Sequence, residues 1–221
     1  MLEPEFAFAD MHDAMDNLEG YIKFCLRAVL EQHKEELDFL NKFVEKRLLE
    51  EMKTFVSEKP YPRVSYTEAI RILQENMKKG KFKKTPNWGI DLGSEHERFL
   101  VEQVYMSPVF VYNYPKDFKA FYMRSNEDGR TVAAFDMLFP RVGELGGGAQ
   151  REERLDKLDA MIIEKGMKLE DYQFYRELRM YGTMPHAGYG LGFDRLVMLA
   201  TGVENVRDAI PFIRVPGHAE F

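Results

Sequence analysis

Gly188, Gly190 and Gly192 occupy alternate positions ahead of the apolar run FDRLVMLA, and Arg195 follows the last glycine by three. Residues without side chains let a ligand lie close to the backbone. A guanidinium near a helix start adds paired donors for phosphate oxygens, beside backbone N–H groups that already favour anions. The spacing matches neither common phosphate loop. A dinucleotide fingerprint needs a strand, then G-x-G-x-x-G, with an acidic residue about 20 further on, and a P-loop needs its lysine. Here the third glycine comes too early and no such lysine follows. The upstream YRELRMYGTMPHA reads as a helix end and a loop. In isolation the glycines are best read as relief of crowding between a strand and a helix.

Other reactive side chains are weaker signals. His186 stands just before the glycines, and a lone histidine is more often a hydrogen-bonded structural residue than an acid–base group. Lys116, in YPKD, reads as a solvated lysine, and KKGKFKK as an exposed basic loop. The chain carries 31 basic and 37 acidic residues, a net charge of −6, so it has no general pull toward a phosphate backbone. Any nucleic-acid contact must be local. The single cysteine, Cys25, excludes an internal disulfide and a cysteine-rich zinc site, and fits a reducing compartment. No apolar run approaches the roughly 18 residues of a membrane span. MLEPEFAFAD lacks the basic start and long apolar stretch of a signal peptide, which leaves a cytoplasmic expectation and no membrane partner.

The elements that must position these residues can be read from periodicity. Asp10 is a plausible N-cap for a helix marked by Met11, Met15, Leu18, Ile22, Leu26 and Val29. A second helical stretch runs through Leu37, Leu40, Val44 and Leu48 until the prolines of EKPYPRVSY break it. Ser65 and Glu68 have capping-box spacing ahead of Ile70, Leu73 and Met77. After Trp88 the texture changes: VFVYNY reads as a buried strand, and AFYMR and RTVAAFDMLF flank SNEDG as the arms of a hairpin with Gly129 at the bend. GELGGGAQRE reads as a glycine-rich strand that approaches a ligand closely. Leu155, Leu158 and Ile162, then Tyr172, Tyr175 and Leu178, mark two further helices, and Gly202 ends a last one. The expectation is an α+β chain, a mostly antiparallel sheet flanked by helices, with a helical insertion-like region over 10–87 and the sheet over 88–221.

Several long segments, in order, carry a resemblance to a known family: EPEFAFAD, WGIDLGSEHERFL, YPKDFKAFYMR, DGRTVAAFDMLFPRVGELGGGAQREERLD, LRMYGTMPHAGYGLGFDRLVMLATGVENVRDAIPF and the terminal AEF. Together they resemble the catalytic core of asparaginyl-tRNA synthetases, class II aminoacyl-tRNA synthetases. The resemblance implies a class II sheet, the substrates ATP, asparagine and the acceptor end of tRNA(Asn), and Mg2+. It implies that Arg195 holds the ATP γ-phosphate and lies along the adenine, over the floor of Gly188, Gly190 and Gly192. It places Asp136 and Glu144 as the magnesium carboxylates, a sparse pair that suffices because magnesium also takes phosphate oxygens and water; without it they read as solvent-facing acids at strand ends. It gives Arg151 the amino-acid side chain and sets His186 beside it. A guanidinium can donate to a carboxamide or pair with a carboxylate, so Arg151 does not by itself separate asparagine from aspartate. The bland alternative has Arg151 capping a strand and pairing with Glu152 or Glu153.

Departures from the family pattern are visible too. Motif 1, the long dimer helix, and most of motif 2 are absent, with the arginine that binds the ATP α-phosphate. This implies little or no charging activity if the chain is the whole protein, and makes the family's homodimer doubtful. Asp194 stands where glutamate is usual, Ala149 where serine is common and Ile213 where proline is usual. Three functions stay open: the C-terminal part of a charging enzyme, a truncated non-catalytic paralogue that binds nucleotide, amino acid or a partner, and a ligase making free asparagine.

Overall fold

The computed structural model describes residues 1–80 and 82–219; Lys81 of the basic loop and the last two residues of AEF lie outside them. A six-stranded sheet runs, in spatial order, β1 (Glu5–Ala7), β6 (His186–Leu191), β5 (Gly143–Gln150), β4 (Thr131–Phe139), β3 (Val109–Pro115) and β2 (Arg63–Ser65). All neighbours are antiparallel except β2 and β3, which are parallel. The mostly antiparallel α+β architecture expected from the sequence is the one found.

Helix α1 (Met11–Gln32) closes one face. Its start is held by a capping box: Asp10 accepts from the backbone N–H groups of His12 and Asp13 at 2.7 and 3.0 Å, and Asp13 accepts from the Asp10 N–H at 2.8 Å. Such a cap contributes about 0.5–2 kcal/mol. Met15, Leu18, Ile22 and Leu26 recur on one stripe and are wholly buried against Phe110, Phe135, Met137, Ala187 and Leu191. Gly146 and Gly148 lie on this face because a side chain would not fit: a β-carbon on Gly148 would come within 2.7 Å of Phe135 Cζ and Tyr189 Cβ. Leu18→Ala is expected to cost about 2–5 kcal/mol in a denaturant titration, since the close-packed sheet beneath cannot collapse into the void.

The second helical stretch is two helices, α2 (Lys34–Phe43) and α3 (Leu48–Phe55), because the chain turns over 44–47 to return Leu48 and Met52 to the core. Only half of the Ser65–Glu68 capping box forms. Ser65 accepts from the Glu68 N–H at 3.2 Å, while the Glu68 carboxylate turns to Arg71. The other sheet face is covered at its β2–β3 end by α4 (Tyr66–Glu75), the one-turn α5 (Met77–Gly80) lying beyond it, and by α6 (Ser94–Phe99) with a π-helical turn over Leu100–Val104. Toward β5 and β6 that face carries Gly147, Ala149, Gly188 and Gly190 instead. AFYMR does not form a regular hairpin arm. It makes isolated bridges, Met123 with Arg151 and Ser125 with Val132, while β4 takes β3 and β5 as its strand partners. Gly129 does sit in the turn, at φ +66°. Helices α7 (Leu155–Glu164) and α8 (Gln173–Met180) follow β5, and α9 (Phe193–Thr201) follows β6 directly, ending at Gly202 with φ +80°.

Candidate active site

The glycine-bearing segment is a strand running into a helix: β6 leads through Gly192 into α9, which places Arg195 on the first turn. Arg195 lines a cavity of about 490 Å3 with Ser94, Glu97, Arg98, Arg141 and Glu144. Its Nη1 donates to the backbone carbonyl of Glu144.

Asp136 and Glu144 meet because of a β-bulge. Asp136 pairs with Gly147 and Met137 with Gly146, but Leu138 pairs with Glu144, so Leu145 is an extra residue in β5. Successive strand residues alternate faces. Unbulged pairing would put Glu144 on the α1 side; the extra residue sends Leu145 into the core and Glu144 to the face of Asp136. A β-carbon on Gly147 would lie 2.8 Å from Asp136 Oδ1 and 3.0 Å from Glu144 Oε1. Both carboxylates therefore reach over the bare backbone at one place. Asp136 also receives Lys119 Nζ, at 3.0 Å to Oδ2 and 3.3 Å to Oδ1, and the Tyr114 hydroxyl.

The negative charge here is crowded. Burial and the neighbouring Asp136 push the Glu144 carboxyl above its ordinary value, partly offset by Lys119 and Arg195. Glu97 is pushed up to about 7 by burial, then by Glu144, Asp136 and Asp91, against Arg195. Two carboxylates over a glycine, with excess negative charge, suit a divalent cation that completes its shell with phosphate oxygens and water. No group of three or more metal-ligating side chains occurs among the described residues. The raised Glu97 value has a measurable consequence. Between the ordinary glutamate pKa and about 7 the folded chain binds more protons than the unfolded chain, so stability falls as pH rises through that window and levels off above it. Glu97→Gln is expected to flatten that limb of a thermal-unfolding pH series; an unchanged slope would refute the assignment.

The opposite end of the glycine floor holds Arg151. It does not pair with Glu152 or Glu153. Its Nε and Nη2 donate to Glu5 Oε1 and Oε2 at 2.8 and 2.9 Å, a two-pronged fork from β5 across β6 to β1. Glu5 is opposite Gly188, and its carboxylate lies where a Gly188 side chain would be. The Tyr122 ring lies 5.5 Å from the Arg151 guanidinium. Glu152 is wholly buried and instead accepts from Arg154 at 2.7 Å and from the Ser125 N–H at 2.9 Å, while Glu153 pairs with Arg124. His186 shares the Glu5–Gly188 face by strand alternation, but its Nδ1 is 2.9 Å from the Met184 carbonyl, an internal bond at the strand's entry. Lys116 lies outside the site: its Nζ makes a partly exposed ion pair with Glu164 on α7 at 2.8 Å.

One sheet face thus lines up Arg195, the Asp136–Glu144 pair, a glycine floor and the Arg151–Glu5 fork. Glu5, Glu97 and Lys119 were not legible in the sequence as site residues. Each enters from a distant segment, and only strand register or helix packing reveals its place.

Residues 1–216 match the family model of tRNA synthetases class II (D, K and N). All 221 residues align at 56% identity with an asparagine–tRNA ligase of Bacillus cytotoxicus, covering 47% of that protein. The crystal structure of asparaginyl-tRNA synthetase from Pyrococcus horikoshii superposes with TM-score 0.86 at 40% identity, over 98% of this chain and 49% of that one. Its complex with asparaginyl-adenylate gives 0.85 at 40% identity, over 97% and 47%. The chain therefore spans about half the length of these relatives, and it belongs to the class II tRNA synthetases of the D, K and N group.

Proposed function

We propose that this chain is the part of an asparagine–tRNA ligase that activates asparagine. The reaction joins the asparagine carboxylate to the α-phosphorus of ATP, releases pyrophosphate, and then passes the asparaginyl group to the 3′ end of tRNA(Asn). Its setting is the cytoplasm. The observation that carries this reading is the two-ended floor: Arg195 at one end and Arg151 at the other, joined by strand glycines that carry no side chains of their own and overlain at Gly190 by the exposed Met1 side chain.

Arg195 takes the tail of the triphosphate and holds it in line with the attacking carboxylate. Asp136 and Glu144 hold Mg2+, which when bound neutralises phosphate charge. Gly188, Gly190 and Gly192 keep the floor low enough for the nucleotide. Arg151 donates to the carboxamide oxygen, and Glu5 accepts from the carboxamide N–H. That pairing distinguishes asparagine from aspartate, because a carboxylate substrate would face the like charge of Glu5 with no proton to offer it. His186 supports the floor's entry through its bond to Met184. No general base is required, since the carboxylate is itself the nucleophile.

ATP–pyrophosphate exchange by a full-length protein carrying this chain tests the reading. Exchange should depend on asparagine, and charging should follow with tRNA(Asn). Exchange driven equally by aspartate, or release of free asparagine from aspartate and ammonia, would replace this assignment with another ligase.

A further inference from the structure

Lys119 lies in neither of the two end groups. It belongs to the turn between β3 and β4, and its ammonium reaches Asp136 Oδ1 and Oδ2 at 3.3 and 3.0 Å. The Tyr114 ring centroid is 4.0 Å from the same Nζ. Both Lys119 and Asp136 are largely shielded from water, with side-chain exposures of 17% and 18%.

The position along the floor is what matters. Asp136 pairs with Gly147 in β5, and Gly147 pairs with Gly190 in β6. Toward one end from that row lie Gly192 and Arg195; toward the other lie Ala149, Gly188 and the Arg151–Glu5 fork. Asp136 and Lys119 therefore stand at the middle of the floor. A ligand with its phosphate tail at Arg195 and its carboxamide at Arg151 has its reacting atoms between them. There the amino-acid carboxylate meets the α-phosphorus, and both partners are anionic.

An ammonium carries three N–H donors. Two face the Asp136 oxygens, and the ammonium makes no third hydrogen bond among the described residues. The Tyr114 ring and the Asp136 carboxylate fix the head group in place, so it can meet an anion without first being ordered.

We propose that Lys119 is an anion-contacting residue of the activation step, donating its remaining N–H to the linkage between the amino-acid carboxyl and the α-phosphate. The assignment rests on the activation reading above and adds to it a cation at the reacting centre, contributed by the β3–β4 turn. A positive charge held at that point favours the crowded, negatively charged transition state more than either separated reactant.

The test uses a full-length protein carrying this chain and calorimetric titration with three probes: a non-hydrolysable asparaginyl-adenylate analogue with a sulfamoyl linkage, ATP with Mg2+, and asparagine alone. Lys119→Met should weaken binding of the adenylate analogue at least tenfold and leave asparagine within about twofold; its melting temperature should fall because Asp136 loses its shielded partner, and the retained asparagine binding reports that the site is still folded. Lys119→Arg, which retains the charge, should recover part of the loss. In the full-length enzyme, Lys119→Met should lower kcat of pyrophosphate exchange with little change in the KM for asparagine. If Lys119→Met binds the analogue as the parent does while Arg151→Met does not, Lys119 makes no contact at the linkage and the assignment fails alone. A full-length parent that binds none of the three probes, with Arg195→Ala and Arg151→Met indistinguishable from it, removes the activation reading and this proposal together.

Discussion

Replacing Arg195 by alanine is expected to reduce asparagine-dependent ATP–pyrophosphate exchange in a full-length protein carrying this chain by about 10²–10³, the typical loss when one preorganised donor to a developing charge is removed. The side chain is exposed, and its hydrogen bond goes to the Glu144 carbonyl, an acceptor that water can serve equally well. The fold should therefore tolerate the change, with stability within about 0.5 kcal/mol of the parent. The loss should appear in kcat/KM for ATP, with asparagine affinity unchanged. Arg195→Lys keeps the charge but not the planar fork, and should recover only part of the rate. Exchange at the parental rate in Arg195→Ala would mean that the glycine–arginine segment is only a strand-to-helix connection.

The second large effect lies at the other end of the floor. Arg151→Met removes both donors of the fork and strands the Glu5 carboxylate. Losing the one bond that Arg151 donates to the carboxamide oxygen, at about 1.5–3 kcal/mol for a hydrogen bond to a charged group, corresponds to roughly 10–10² in kcat/KM for asparagine. ATP binding, held at the opposite end, should be unaffected. Glu5→Gln tests selectivity. It keeps an acceptor for the carboxamide N–H but removes the negative charge that disfavours aspartate. The asparagine-to-aspartate preference should narrow by roughly 10–10²-fold, the equivalent of one such interaction. Competition between the two amino acids in pyrophosphate exchange measures it. A preference unmoved by Glu5→Gln would assign discrimination to other residues.

Charge near Arg195 responds to pH. The Arg195 end of the floor holds Glu97 and Glu144, with Asp136 adjoining them at the middle. Glu97, pushed up to about 7, takes up or loses its proton near neutrality. A buffer change around that value alters charge at the Arg195 end of the floor.

How much of this was readable in advance depends on the distance over which each feature is determined. The helix stripe Met15, Leu18, Ile22, Leu26, the Asp10 cap and the Gly202 stop were legible, because period and capping act within a few residues of chain. So was the family, because its segments are long and ordered. Arg195 could be placed on a helix start from GFDRLV for the same local reason. The split into α2 and α3 was not legible. An apolar period of three to four continues across 44–47 whether or not the backbone does, and only the need to bring Leu48 and Met52 under the sheet turns the chain there.

For the site, the amino-acid sequence by itself determined which chemical groups are present: guanidinium, carboxylate pair and side-chain-free backbone. Tertiary structure alone decided which of them meet. Glu144 joins Asp136 only because one extra residue, Leu145, shifts the pleat and turns a core-facing position toward the face of Gly147 and Gly190. Glu5 reaches Arg151 only because β1 pairs with β6 in a register that puts it opposite Gly188, across a separation of 146 residues in the chain. Strand alternation is a local rule, but the register that gives it meaning is set by pairing between distant segments, and a one-residue change in that register moves every side chain to the other face.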